Sequence, residues 1–304
     1  MSTARAGAGA PAGALRLWIV ASRPRTLPAA GAPVLVGTAL AISDDEFRPL
    51  AFVAALVGSV FLQIGTNLAN DYSDARRGAD TEDRLGPVRV VAGGLMPPRS
   101  VLVGTYVAFA VAVLAGVYLT AVAGWEMLLV GALSIVAGVL YTGGPRPYGY
   151  AGLGELFVFV FFGLVAVVFT YYAQAEEFPW EAFVLAVPVG LLAAAILVVN
   201  NVRDLETDRR AGKLTLAVRL GRSRARILFG AMLALAFAVP VAIPLAGGLS
   251  WWVLLALLAL PLVPSLHRTV ATRTDGPALN GALAAAGRLL AAFSILLSAG
   301  VLLS

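Results

Sequence analysis

The chain has no cysteine in its 304 residues and a single histidine, His267. Disulfides, thiolate metal ligands and cysteine nucleophiles are therefore excluded, as are metal sites built from several histidines. Charge is scarce too. Asp, Glu, Lys and Arg make up 13% of the residues while 60% are hydrophobic; a soluble domain carries about 25% charged residues. So little charge cannot coat a globule of this size, and the mean hydropathy is +0.87. The apolar excess has to face lipid. A soluble enzyme, a disordered chain and a secreted disulfide scaffold are all ruled out, which leaves an integral membrane protein.

Apolar runs of roughly 17–25 residues cross a bilayer core of about 30 Å as helix. Nine such runs are present, at 26–42, 50–69, 101–123, 126–141, 154–173, 183–202, 227–245, 251–267 and 279–303, the fourth being the shortest. Their Gly and Ala content suits helices packed through small residues and not alternating barrel strands. The expected fold is therefore an all-α membrane protein of nine transmembrane helices. Basic residues test the count. With the N-terminus cytoplasmic and the C-terminus outside, every Lys and Arg falls on the cytoplasmic side except Arg48, and Arg288 within the last run. A miscount of one span would scramble that bias. The net charge of +5 is thus a topology signal, and no nucleic-acid partner is expected. Residues 1–14, rich in Ala and Gly, read as a disordered tail ahead of a single domain, 15–304. Segment 15–25 reads as a short interfacial helix holding Trp18, and Trp125, Trp180, Trp251 and Trp252 at span ends read as aromatic-belt anchors.

The acidic residues gather in two cytoplasmic loops. One reads NLANDYSDARRGAD from Asn67 to Asp80, and the other NNVRDLETDRRAGKLTL from Asn200 to Leu216. If the second span continues as helix, Asn67, Asp71 and Asp74 fall at i, i+4 and i+7; if the sixth continues, Asn200, Asp204 and Asp208 fall at i, i+4 and i+8. Each span then presents an amide and two carboxylates along one stripe. Carboxylate and amide oxygens suit hard cations such as Mg²⁺, which binds through a few carboxylates together with substrate phosphates. Arg203, Lys213, Arg76 and Arg77 are placed to bind the phosphate oxygens that the metal leaves free. Together they describe a metal–diphosphate site at the membrane surface, opening into an apolar bundle, which fits a diphosphate head on a long hydrocarbon tail. The bland alternative is a set of solvated rim charges worth under ~1 kcal/mol per pair. Two matching motifs at equivalent span ends argue against it.

These motifs, with GKLTLAVRLG after the second, resemble the signatures of the UbiA superfamily of intramembrane prenyltransferases. Within it, NLANDYSDARRGADTEDRLGPVR, YTGGPRPYGYAGLGELFVFVFFG and NNVRDLETDRRAGKLTLAVRLG are similar to the branch acting on 1,4-dihydroxy-2-naphthoate. The resemblance implies a UbiA-type nine-helix bundle in a bacterial cytoplasmic (inner) membrane, its active site facing the cytoplasm. It implies transfer of a polyprenyl group from its diphosphate to the aromatic ring with loss of CO₂. It also implies two diphosphate-bridged Mg²⁺ ions, one on Asp71 and Asp74 and one on Asp204 and Asp208, supported by Asn67, Asn70, Asn200 and Asn201. Many superfamily members carry a third Asp four residues after Asp74; here that position is Gly78, with Asp80 two further on.

Under that resemblance Lys213 and Arg146 are the expected phosphate contacts, with Arg203 and Arg77 behind them. Tyr141 reads either as a ring facing the allylic cation or as an interfacial anchor. Arg23 or Arg25 reads either as the partner of the acceptor's carboxylate or as a topology-setting charge. Glu155, at the start of the fifth span, is accounted for by helix capping or by a place near Arg146. The rival readings are another aromatic acceptor, such as 4-hydroxybenzoate, homogentisate or chlorophyllide, and a transporter. A transporter keeps its ionisable groups near mid-membrane, where these spans hold almost none.

Overall fold

The two longest helices, of 28 and 31 residues, both run into the acidic motifs. The computed structural model describes residues 13–79 and 85–304. Over these, α1 (Ala14–Ser22) leads through a 3₁₀ turn, Pro24–Thr26, into α2 (Pro28–Ser43), with a bend of 55°. Next come α3 (Pro49–Arg76), α4 (Pro98–Ala123), α5 (Glu126–Leu140) and α6 (Gly154–Ala175). The chain closes with α7 (Trp180–Arg210), the short α8 (Leu216–Leu220), α9 (Arg222–Leu245), α10 (Trp251–Thr272) and α11 (Gly276–Leu302). No strand occurs among the described residues.

Each expected apolar run lies in one helix. Seven of the helices are long and apolar enough to cross a membrane, or eight if α1 and α2 form one bent span. Helix α5 has 15 residues, about 22 Å at 1.5 Å per residue, and falls short. Residues 1–12 of the expected tail, and Asp80, lie outside the described residues; Ala14 already begins a helix.

Helix starts follow local chemistry. Proline, which has no N–H to lose and a preset φ, opens α2, α3 and α4. Asp275 caps α11 by accepting from the Ala278 amide at 3.1 Å. A hydrogen bond from Arg273 at 2.7 Å holds that carboxyl below the usual carboxylate range. Gly287 of α11 lies against the Arg25 carbonyl, so the middle of α11, just before Arg288, packs against the Pro24–Thr26 turn.

Helix α7 is the central element, packed against α2, α6, α9 and α11, with Leu185, Val189, Leu192 and Val199 in the main core. Helices α3, α4 and α5 pack together on the other side. A cavity of about 430 Å³ runs between the two groups. At one end it meets the C-terminal ends of α3 and α7. At the other it reaches Leu119 and Met127, beyond which Arg48 pairs with Glu176 at 2.8 Å and Tyr171 donates to Asp44 at 2.8 Å.

Along this cavity α6 shows Phe157, Phe161, Val165 and Phe169, one every four residues. In a regular α-helix that spacing drifts by about 40° per step. A π turn at Val160–Val165 adds one residue to the winding and takes back most of the drift, so the whole helix keeps one face on the cavity. The turn is seated where Gly163 meets Gly190 of α7. A Cβ on Gly163 would come within 2.6 Å of the Gly190 Cα.

Candidate active site

The last turns of α3 carry Asn67 to Asp74 of the first motif as unbroken helix, and those of α7 carry Asn200 to Asp208 of the second. Asn67, Asn70, Asp74, Asn200, Asn201, Asp204 and Asp208 all line the polar end of the cavity, as do Lys213, Arg89, Arg23 and Tyr141. Asn67 and Asp74 of the first stripe and all three residues of the second thus share one space, whereas Asp71, expected beside Asp74, faces the Val90–Val91 backbone and is not among the lining residues.

Asp74 is 1% exposed and is surrounded by donors from three separate segments. Lys213 Nζ lies 2.9 Å from it, the Tyr150 hydroxyl donates at 2.8 Å, and Arg89 Nη2 lies 3.3 Å away. The Lys213 ammonium also sits 4.8 Å from the centre of the Tyr150 ring, a cation–π contact. Lys213 is the only lysine of the chain. Asp71, one turn earlier, accepts the backbone amides of Val90 and Val91 at 3.1 and 3.2 Å. It pins the turn that brings Arg89 to Asp74.

In the second motif Arg203 grips its neighbour Asp204 with two hydrogen bonds, at 2.8 and 2.6 Å. The same guanidinium donates to Asn200 at 2.8 Å and to Asn280 of α11 at 2.7 Å. Arg203 is fully buried, and its fixed fork suits this multiple role. The structure thus places Arg203 behind the carboxylate and off the cavity wall, where the sequence put it at the phosphate. Arg146 and Arg25 are exposed and do not line the cavity. Arg77 stays on the surface, donating to the Thr142 and Gly144 carbonyls. Arg23 does face the cavity, from a left-handed backbone conformation with φ 53°, a strained state for a non-glycine residue that clusters at functional sites.

Below the polar end the wall turns aromatic. Tyr141 meets Tyr148 edge-on with ring centres 5.5 Å apart, Tyr148 stacks on Phe157 at 3.9 Å, and Phe157 is followed by Phe161 at 6.0 Å. Burial pushes the Tyr148 phenol well above its usual value, so this ladder is neutral.

The match to known proteins agrees with this geometry. Residues 30–286 match the model of the UbiA prenyltransferase family. The chain belongs to the UbiA prenyltransferase family. It is 46% identical to a 1,4-dihydroxy-2-naphthoate octaprenyltransferase of Mycobacterium tuberculosis, over 87% of this chain and 86% of that protein. Among solved structures, the fold is similar to an apo UbiA homolog from Aeropyrum pernix, with a TM-score of 0.65 and 18% identity over 90% of this chain and 97% of that one. It is also similar to a UbiA homolog from Archaeoglobus fulgidus bound to DMAPP and Mg²⁺, with a TM-score of 0.60 and 15% identity over 92% and 99% of the two chains.

This UbiA-family cavity also gathers residues that the sequence did not single out. Arg89 had a visible signal, lying in the GPVR stretch that carries the resemblance. Tyr150 and Tyr148 lay within another such stretch but gave no sign of direction. Thr26 accepts from Gln63 at 3.1 Å and from Asn67 at 3.2 Å; no periodicity links residues so far apart.

Proposed function

We propose that this UbiA-family enzyme transfers an all-trans polyprenyl group from its diphosphate to 1,4-dihydroxy-2-naphthoate. CO₂ and diphosphate leave, and the product is demethylmenaquinone, first as the quinol. The observation that carries the reading is a single cavity with Asn and Asp side chains of both motifs and three cations, Lys213, Arg89 and Arg23, at one end and aromatic and apolar walls along the rest. The name of the M. tuberculosis relative supports the naphthoate acceptor.

The residues present fit Mg²⁺. Their donors are hard oxygens of Asp and Asn with no competing thiolate or imidazole. Among the described residues no three His, Cys, Asp or Glu side chains form a ready-made metal cluster; the fit rests on the oxygen donors themselves, since Mg²⁺ keeps several waters and binds through one or two carboxylates plus substrate phosphates. Asp71 and Asp74 would hold one ion, and Asp204 and Asp208 another. Bound there, Mg²⁺ neutralises charge on the departing diphosphate. The A. fulgidus homolog bound to DMAPP and Mg²⁺ supports this assignment.

The chain's own groups do the rest. Lys213 and Arg89 turn their donors from Asp74 to the diphosphate oxygens, while Arg203 braces α7 against α11 and Arg77 holds the turn at Thr142–Gly144; exposed Arg146 would reach the phosphate only from the rim. As the allylic C–O bond breaks, its electron pair leaves on the diphosphate. The Tyr141 ring, backed by Tyr148, faces the developing cation. Arg23, on the cavity wall, binds the acceptor's carboxylate, while exposed Arg25 sets topology. The ring carbon bearing that carboxylate attacks, and loss of CO₂ restores aromaticity without a protein base. The tail follows the Phe157–Phe161 wall of α6.

The chain crosses a bacterial inner membrane nine times, with the N-terminus and the active site cytoplasmic and the C-terminus outside. The basic-residue bias supports this orientation, as does the Arg48–Glu176 pair at the far end. The test is a reaction in detergent with Mg²⁺, geranylgeranyl diphosphate and either 1,4-dihydroxy-2-naphthoate or 4-hydroxybenzoate. A prenylated naphthalenediol lighter by one CO₂ than the simple adduct is expected, along with loss of activity in EDTA and its return with Mg²⁺. Prenylated hydroxybenzoate that keeps its carboxyl would overturn the acceptor, and turnover after thorough chelation would overturn the metal.

A further inference from the structure

Glu155 is 4% exposed, lies on the second residue of α6, and is left over by the chemistry above. Its Oε1 accepts from Asn201 Nδ2 at 2.8 Å, and its Oε2 is buried without a hydrogen-bond partner. A buried carboxyl is costly to keep, so a reason for its presence is required. The first turn of α6 favours a carboxylate there, but that effect asks for no bond to another helix and leaves the tie to Asn201 of α7 unexplained.

An amide side chain has a donor end and an acceptor end, and only a one-way partner decides which faces where. Three asparagines of the two motifs have such partners. The Ser22 carbonyl can only accept, so Asn67 must turn its NH₂ there, at 3.0 Å. The Arg203 guanidinium can only donate, so Asn200 must turn its oxygen there. A carboxylate can only accept, so Glu155 draws the NH₂ of Asn201. Asn67 and Asn201 are both 4% exposed and both line the cavity. With their NH₂ groups tied back, each is left with its Oδ1 for the cavity. Glu155 thus does in the second motif what a backbone carbonyl does in the first.

We infer that Glu155 is a positioning residue: it orients Asn201 so that the second motif offers an amide oxygen to the divalent cation beside its carboxylates. The inference rests on the metal–diphosphate reading of this cavity. Glu155 does not reach the metal itself; it acts through the amide.

The test measures Mn²⁺ binding to the full chain in detergent with pyrophosphate, from the electron paramagnetic resonance signal of free Mn²⁺, together with Tm. Glu155→Leu weakens Mn²⁺ binding about tenfold or more, the range seen when a partner behind a ligand is lost. Glu155→Gln, whose own amide oxygen can still accept from Asn201, stays within about threefold of the unaltered chain. Asn201→Ala shows the loss of Glu155→Leu, and the double variant is no worse than either single one, as two groups acting as one unit require. If Glu155→Leu does not fold, Asn201→Ala and Glu155→Gln carry the test. Unchanged Mn²⁺ binding in Glu155→Leu or in Asn201→Ala overturns the inference, as does a Gln variant as weak as the Leu variant. A fall in Tm with unchanged binding would make Glu155 a tie between α6 and α7 only. Absence of Mn²⁺ binding in the unaltered chain would overturn the metal–diphosphate reading first, and this inference with it.

Discussion

The ends of α3 and α7 carry nearly the same pattern, an amide followed by two carboxylates on one helical stripe, yet they are held in opposite ways. On α3 the carboxylates are held from afar. Asp71 takes two backbone amides from the turn near residue 90, and Asp74 takes Lys213, Tyr150 and Arg89. On α7 Asp204 is held by its own neighbour Arg203, which passes the connection on to Asn200 and to α11. One end is a meeting point of loops, where in the proposed reaction Lys213 and Arg89 exchange Asp74 for the diphosphate. The other is an internally braced strut. A site that must admit and release a charged head needs both, since a preorganised frame keeps its geometry while exchangeable cations meet the charge.

The contrast is sharpest at Asp74 and Asp204, both buried. Asp74→Asn leaves Lys213 and Arg89 facing a neutral amide, and turnover is expected to fall by about 10²–10³-fold, the scale for losing one preorganised electrostatic group. Asp204→Asn strands the fully buried Arg203, and a stability loss of about 3–5 kcal/mol is expected, the cost of breaking a buried pair from one side. Thermal unfolding in detergent measures it. Adding Arg203→Leu to Asp204→Asn should recover Tm while leaving turnover low, because the stranded charge is gone but the site carboxylate is still missing. An Asp204→Asn protein as stable as the unaltered chain would erase the distinction between strut and meeting point.

Asp71→Asn removes a carboxylate proposed to hold Mg²⁺, so turnover is expected to fall, but its effect on stability is smaller. An asparagine can still accept one amide but turns an NH₂ toward the other, a local cost of about 1–3 kcal/mol. Faster hydrogen exchange confined to residues 88–96 is the expected result; unchanged protection there would detach Asp71 from the loop. The mildest test lies away from both ends. Gly163→Leu forces a side chain into the Gly190 contact, and about 1–3 kcal/mol of overpacking is expected. If the π turn serves the tail, this variant should lose more activity with geranylgeranyl diphosphate than with dimethylallyl diphosphate. Equal losses would make the turn a packing feature only.

Much of this was legible in the chain. Nine apolar runs led to an expectation of nine spans; each run coincides with a helix, because lipid leaves a helix few alternatives, but seven or eight of these helices are long and apolar enough to cross a membrane. The Asn67/Asp71/Asp74 and Asn200/Asp204/Asp208 stripes needed only helical periodicity to be seen. The arginines were harder to read. Sequence placed Arg203 and Arg146 at the phosphate, whereas the fold turns Arg203 inward to Asp204 and leaves Arg146 exposed, and it brings Arg89 in instead. A guanidinium on a long flexible stem carries no signal of its direction.

Sequence alone therefore determined the class of molecule, the helices and the stripe on which each carboxylate stands, since these follow from hydrophobic length and the 3.6-residue turn. Only the tertiary structure decided which cation meets which carboxylate, how the Asn201 amide is turned, and that a π turn keeps α6 facing the cavity along its length. Those outcomes depend on contacts between residues tens to more than a hundred positions apart, such as Lys213 with Asp74, and on one-way donors and acceptors that only packing brings together.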